Sequence, residues 1–139
     1  MLSADLYVVP EAPSASELMR LRESVGWTTY DLQTAERALT ASLFAVTLRN
    51  SAAQPVGCAR VIGDGHYLYV QDVIVSPGWQ SHGGGTLLMR AVVAWLDSNA
   101  AEAYRALICP PDAVAFYQHM GFATESVAMT LKPTEAREP

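Results

Sequence analysis

The sequence predicts an α/β protein of one domain, a mixed β-sheet with helices packed on its faces. Two observations point there. The 139 residues are half hydrophobic and 17% charged, enough for one domain with a core of its own. Apolar periodicity then gives the order β-α-α-β-β-β-α-β-α-β, with hairpins first and β-α-β units later.

Leu6 to Val9 is the first strand, closed by Pro10. Ser14 or Ser16 caps a helix whose Leu18, Leu21 and Val25 share a face, and Gly26 ends it. A second helix runs from Asp31 to Ser42, with Leu32, Ala35 and Leu39 on one side. Three strands follow. They are Leu43 to Leu48, Pro55 to Ile62 with the turn Gly63-Asp64-Gly65, and Tyr67 to Val75, ended by Ser76-Pro77-Gly78. After Gly83-Gly84-Gly85 comes the clearest helix, carrying Leu88, Val92, Trp95 and Leu96 on one stripe. Ala106 to Cys109 is wholly apolar and reads as a buried central strand, stopped by Pro110-Pro111. Asp112 then caps a short helix with Ala113, Phe116, Tyr117 and Met120 on one face, closed by Gly121. Val127 to Leu131 is the last strand, and residues 133–139 read as a frayed tail.

Composition narrows the function. The net charge is −5 and there is no long basic run, which argues against nucleic acid as the main partner. No apolar run nears the roughly 20 residues of a membrane span, and the N-terminus lacks the basic start and apolar stretch of a signal peptide. A cytoplasmic protein with no membrane partner is the expectation. Cys58 and Cys109 lie in apolar runs and read as buried, reduced thiols, with no metal expected.

The stretch with chemistry in it is Val73-Ile74-Val75-Ser76-Pro77-Gly78-Trp79-Gln80-Ser81-His82-Gly83-Gly84-Gly85-Thr86. An apolar strand runs into a glycine-rich turn that opens a helix. Glycine lets the backbone take positive φ and approach a ligand closely. Free amides at a helix start, with the helix dipole, favour an anion such as a pyrophosphate. The other reading is a turn that merely permits tight packing. No Lys follows the glycines, so this is not a P-loop.

Gln80-x-x-Gly83-x-Gly85 resembles the acetyl-CoA signature of the GNAT superfamily of N-acetyltransferases. Ala113-Val114-Ala115-Phe116-Tyr117-Gln118-His119-Met120-Gly121-Phe122 resembles that family's second signature, and the element order matches almost the whole chain. The resemblance implies a GNAT acyltransferase fold that moves acetyl from acetyl-CoA to an amine. It implies that Val73, Ile74 and Val75 pair their backbone with the pantetheine arm, an amide there polarising the thioester carbonyl. Gln80, Ser81, His82, Gly83, Gly84, Gly85 and Thr86 would hold the pyrophosphate end, with Ala115 and Tyr117 also against the coenzyme. Tyr117 would protonate the departing thiolate. A thiol near ~8.5 and a phenol near ~10 are close to matched for that transfer. Its apolar neighbours also allow a plain core tyrosine.

The acceptor must attack as a neutral amine. Asp72, inside a long apolar run, is the candidate base, with Glu23, Asp31 or ordered water as alternatives, and a non-catalytic, hydrogen-bonded aspartate as the other reading. In the loop between the first two helices, Trp27 and Tyr30 could hold a cationic amine by their ring faces, or simply anchor the loop. A small-molecule amine is the first expected acceptor, a protein N-terminus or lysine the second. Ser81, His82 and Pro110 depart from common family residues. Ser81 and Pro110 leave room for a CoA-binding module without activity, and negative charge counts against action on charged tRNA. The short C-terminal region leaves a sheet edge that invites a homodimer. His66 and His119 read as structural or surface residues.

Overall fold

Strands Leu6–Val9 (β1), Phe44–Asn50 (β2), Pro55–Gly63 (β3), Tyr67–Val75 (β4) and Tyr104–Ala106 (β5) lie side by side in chain order in one sheet. They belong to a computed structural model that describes residues 5–137. Neighbours are antiparallel through β4, with short turns joining β2 to β3 and β3 to β4, and β5 is parallel to β4. The crossover between those last two is the long helix Gly84–Asn99 (α3).

One irregularity reorganises the sheet. Between the pairs Cys58↔Ile74 and Arg60↔Gln71, β3 advances two residues while β4 advances three. The extra residue is a β-bulge, and Asp72 sits in it at φ 52. Side-chain direction has period two, so one inserted residue swaps the faces of everything beyond it. Before the bulge, Leu68 and Val70 are the buried residues of β4, and after it Ile74 is buried together with Cys58.

Helix Ala15–Ser24 (α1) starts at a full capping box. Ser14 Oγ accepts from the Glu17 amide, and the Ser14 amide donates back to Glu17 Oε1. Helix Leu32–Thr40 (α2) starts at Asp31, whose side chain accepts from the Thr34 amide at 2.7 Å. Leu18, Met19, Leu21 and Ala35 from these helices form a core with Cys58 and Ile74. α3 packs against β1 to β4, with Leu88, Met89, Val92 and Leu96 buried.

Two compact units are distinguished, one through Leu107 and one from Ile108 onward. The second holds a 3-10 turn at Pro111–Ala113, helix Val114–His119 (α4) and a 3-10 turn at Thr134–Ala136. The element order agrees with expectation as far as α4, with three corrections. β5 is Tyr104–Ala106, an edge strand, and Ile108 beyond it is 67% exposed. Its ladder ends at Tyr69, just before the β4 bulge adds twist. Val127 to Leu131 forms no strand. Val127, Met129 and Leu131 are all more than four-fifths exposed, so its alternation meets no ladder or core. Asp112 caps nothing, because it lies inside the 3-10 turn and Ala113 holds the cap position without a side-chain bond.

Candidate active site

β4 outruns its outer neighbour. β5 pairs only with Tyr67 to Tyr69, and the strand continues to Val75 with no sheet partner on that side among the described residues. Main-chain groups of alternate residues here, Val73 and Val75, therefore face an open edge, while Ile74 pairs with Cys58 of β3; an extended ligand can join that edge as a strand would. Below that edge the chain turns. Gln80 Nε2 donates to the Val75 carbonyl at 2.9 Å, so this side chain braces the strand end.

Ser81 at φ 66 and Gly83 at φ 84 both take left-handed backbone, and α3 begins immediately after. No side chain caps its first turn. The amides at its start are therefore open to an anion. His82 points the same way. Its Nδ1 is buried and has no hydrogen-bond partner among the described residues, and its ring lies edge-on to Trp79. A buried polar atom left unpaired is rare and suits an absent ligand. Open amides, an orphaned ring nitrogen and a free strand edge fit a pyrophosphate with an extended arm. The glycines divide the work differently from the expectation. Gly84 is buried, and a Cβ there would stand 2.5 Å from Leu48 Cδ2, so its missing side chain serves helix-to-sheet packing.

Asp72 does not stand free as a base would. Arg22 Nη1 donates to its Oδ1 at 2.5 Å and Arg60 Nε to its Oδ2 at 2.8 Å, and its side chain is 4% exposed. Both oxygens already accept from fixed guanidiniums. Trp27 and Tyr30 also differ from the expectation. Their rings lie 5.5 and 5.3 Å from the guanidinium carbon of Arg22, so the cation they attract is the chain's own. Arg22 Nε also donates to the Thr28 carbonyl at 2.8 Å. Arg22 and Arg60 escaped the sequence reading. A buried aspartate requires a partner, but nothing local says which of nine Lys and Arg supplies it.

Tyr117 belongs to the second unit. It lies edge-on to Phe116 at 5.0 Å and Phe122 at 6.1 Å, inside a turn where the Phe122 amide donates to the Tyr117 carbonyl. Burial pushes its phenol above the ordinary value of 10, with a smaller push from Cys109. Ala115 is exposed on α4. Cys58 is buried, its thiol donating to the Asp72 carbonyl and pushed up by burial, whereas Cys109 is only half-buried. His66 and His119 are exposed. Among the described residues no group of three or more His, Cys, Asp or Glu is placed to hold a metal, and no helix is long and apolar enough to cross a membrane.

Comparison with known proteins adds a lineage. The profile of the acetyltransferase (GNAT) family matches residues 12–122. An uncharacterized N-acetyltransferase, ycf52, of Porphyra purpurea is 32% identical over 110 residues, 76% of this chain and 63% of that protein. Serotonin N-acetyltransferase 2, chloroplastic, of Oryza sativa subsp. japonica is 38% identical over 81 residues, 58% of this chain and 40% of its own length. The chain thus spans less than two thirds of the length of these curated relatives. A GNAT family acetyltransferase from Streptococcus pneumoniae superposes with a TM-score of 0.76 at 30% identity, covering 93% of this chain and 98% of that one.

Proposed function

Because the chain belongs to the acetyltransferase (GNAT) family, we propose that it transfers the acetyl group of acetyl-CoA to the primary amine of a small molecule. The observation that carries this is the free edge of β4 running into the uncapped start of α3. Val73 and Val75 supply main-chain groups for an extended arm. Ser81 to Thr86 supply amides for phosphate, and His82 supplies its unpaired Nδ1.

Bound acetyl-CoA brings an activated acyl carbonyl and a thiol leaving group. An amide of the β4 edge stabilises charge developing on the carbonyl oxygen as the amine attacks. The C–S bond breaks, and Tyr117 gives its phenolic proton to the thiolate. Its raised pKa keeps it protonated for that role. With both Asp72 oxygens engaged, ordered water is the better candidate to carry the ammonium proton away. The acceptor side is assigned to the loop between α1 and α2, where Trp27 is 43% exposed.

The test is thiol release from acetyl-CoA with an amine panel. Arylalkylamines belong in it because one relative is a serotonin N-acetyltransferase, together with polyamines, amino acids and amino sugars. Turnover with one amine class and calorimetric binding of acetyl-CoA are expected. Absence of heat with the coenzyme would overturn the proposal.

A further inference from the structure

We infer that Asp72 is a positioning residue, the hub of an Arg22–Asp72–Arg60 clamp that fixes the loop 26–31 against the bulge of β4. The inference rests on that loop being the acceptor side, as proposed above.

Three parts of the chain meet at one carboxylate. Arg22 comes from α1, Arg60 from β3 and Asp72 from β4 itself. Arg22 carries the connection onward, since its Nε donates to the Thr28 carbonyl and its guanidinium carbon lies over the rings of Trp27 and Tyr30. Arg60 in turn donates to Ser42 Oγ at 3.2 Å, just past the end of α2. The loop is thereby tied at its backbone and at both aromatic side chains, and α2 is tied beyond it.

The other end of the clamp is the bulge. Asp72 holds a left-handed backbone that aspartate tolerates better than most residues. It lies immediately before Val73, within the stretch of β4 beyond the β5 ladder. One carboxylate therefore sets the spacing between the loop and the edge. A base must reach the amine, whereas this carboxylate is buried with a guanidinium on each oxygen.

Two variants of the full chain test this. Asp72→Asn keeps volume and left-handed tolerance but removes the charge. Arg22→Lys keeps the charge but cannot hold Thr28, Asp72 and two rings at once. For the best amine of the panel, each should raise KM about tenfold and move kcat much less, the pattern of lost acceptor placement. Coenzyme affinity by calorimetry should stay within about twofold. The acid limb of the kcat/KM profile should survive in Asp72→Asn. Without any ligand, amide exchange over 26–31 should quicken in both variants. A collapse of kcat with loss of that acid limb would make Asp72 the base and overturn the clamp. Unchanged KM, or unchanged exchange, would overturn it too. Should Asp72→Asn not fold, Arg22→Lys carries the same readouts. A wild-type chain inactive on every amine defeats the proposed function instead, while the exchange measurement still judges the clamp.

Discussion

Tyr117 and Asp72 are the two side chains for which chemistry was expected, and their surroundings separate them. Tyr117 sits among Phe116 and Phe122, and burial raises its phenol. That environment disfavours the phenolate and keeps a proton available. Tyr117→Phe should lower kcat about a hundredfold, the low end for general acid catalysis, with KM for the amine little changed. Any basic limb due to this phenol should lie above the usual phenol value, because its folded pKa is raised. Thiol release followed against pH in both proteins checks this, and equal turnover would take Tyr117 out of the mechanism. Tyr117 was singled out because a local motif surrounds it. Asp72 was legible only as an oddity, an acid within an apolar run. Its partners lie 50 and 12 residues away, beyond the reach of any local pattern.

At the level of elements, legibility followed how local each cause is. β4 spans Tyr67–Val75, the span its sequence suggests, because turns bound it on both sides. α1 and α2 begin at the side chains that cap them. Removing the cap in Ser14→Ala should cost about 1 kcal/mol, read as a shift of the urea midpoint at unchanged slope. The β3–β4 turn is stricter. Gly63 has φ 144, and a Cβ there would collide with the Tyr67 carbonyl oxygen. Backbone cannot yield as a side-chain tip does, so Gly63→Ala should cost about 1–3 kcal/mol. A midpoint equal to wild type would show that the turn relaxes. β5 and the expected last strand were misjudged for one reason. Apolar alternation says that a segment can pair, whereas the ladder that receives it is set elsewhere, and for β5 that ladder stops at Tyr69, short of the bulge at Asp72 that no periodicity reveals.

For the whole molecule, fourteen Asp and Glu against nine Lys and Arg make acid the informative perturbation. Two carboxylates answer to it with a defined sign. Asp31 lies below its ordinary value of 3.8, chiefly because the Thr34 amide donates to it. Asp64 is lowered likewise, first by the Tyr67 amide and then by that of His66. The unfolded chain therefore takes these two protons at a higher pH than the folded one does. Their contribution is complete above the unfolded pKa and disappears as the pH falls through the folded values. Both acids are at starts, one of α2 and one of β4, so protonation loosens the elements flanking the proposed site. Asp31→Asn with Asp64→Asn separates this effect from the general change in charge. Asparagine still accepts from an amide, as cap and turn both need, but has no proton to gain. Melting curves between pH 7 and pH 2.5 should show the wild type ahead at neutral pH and losing that lead below about pH 4. Parallel curves over the whole range would mean that neither carboxylate couples folding to protons.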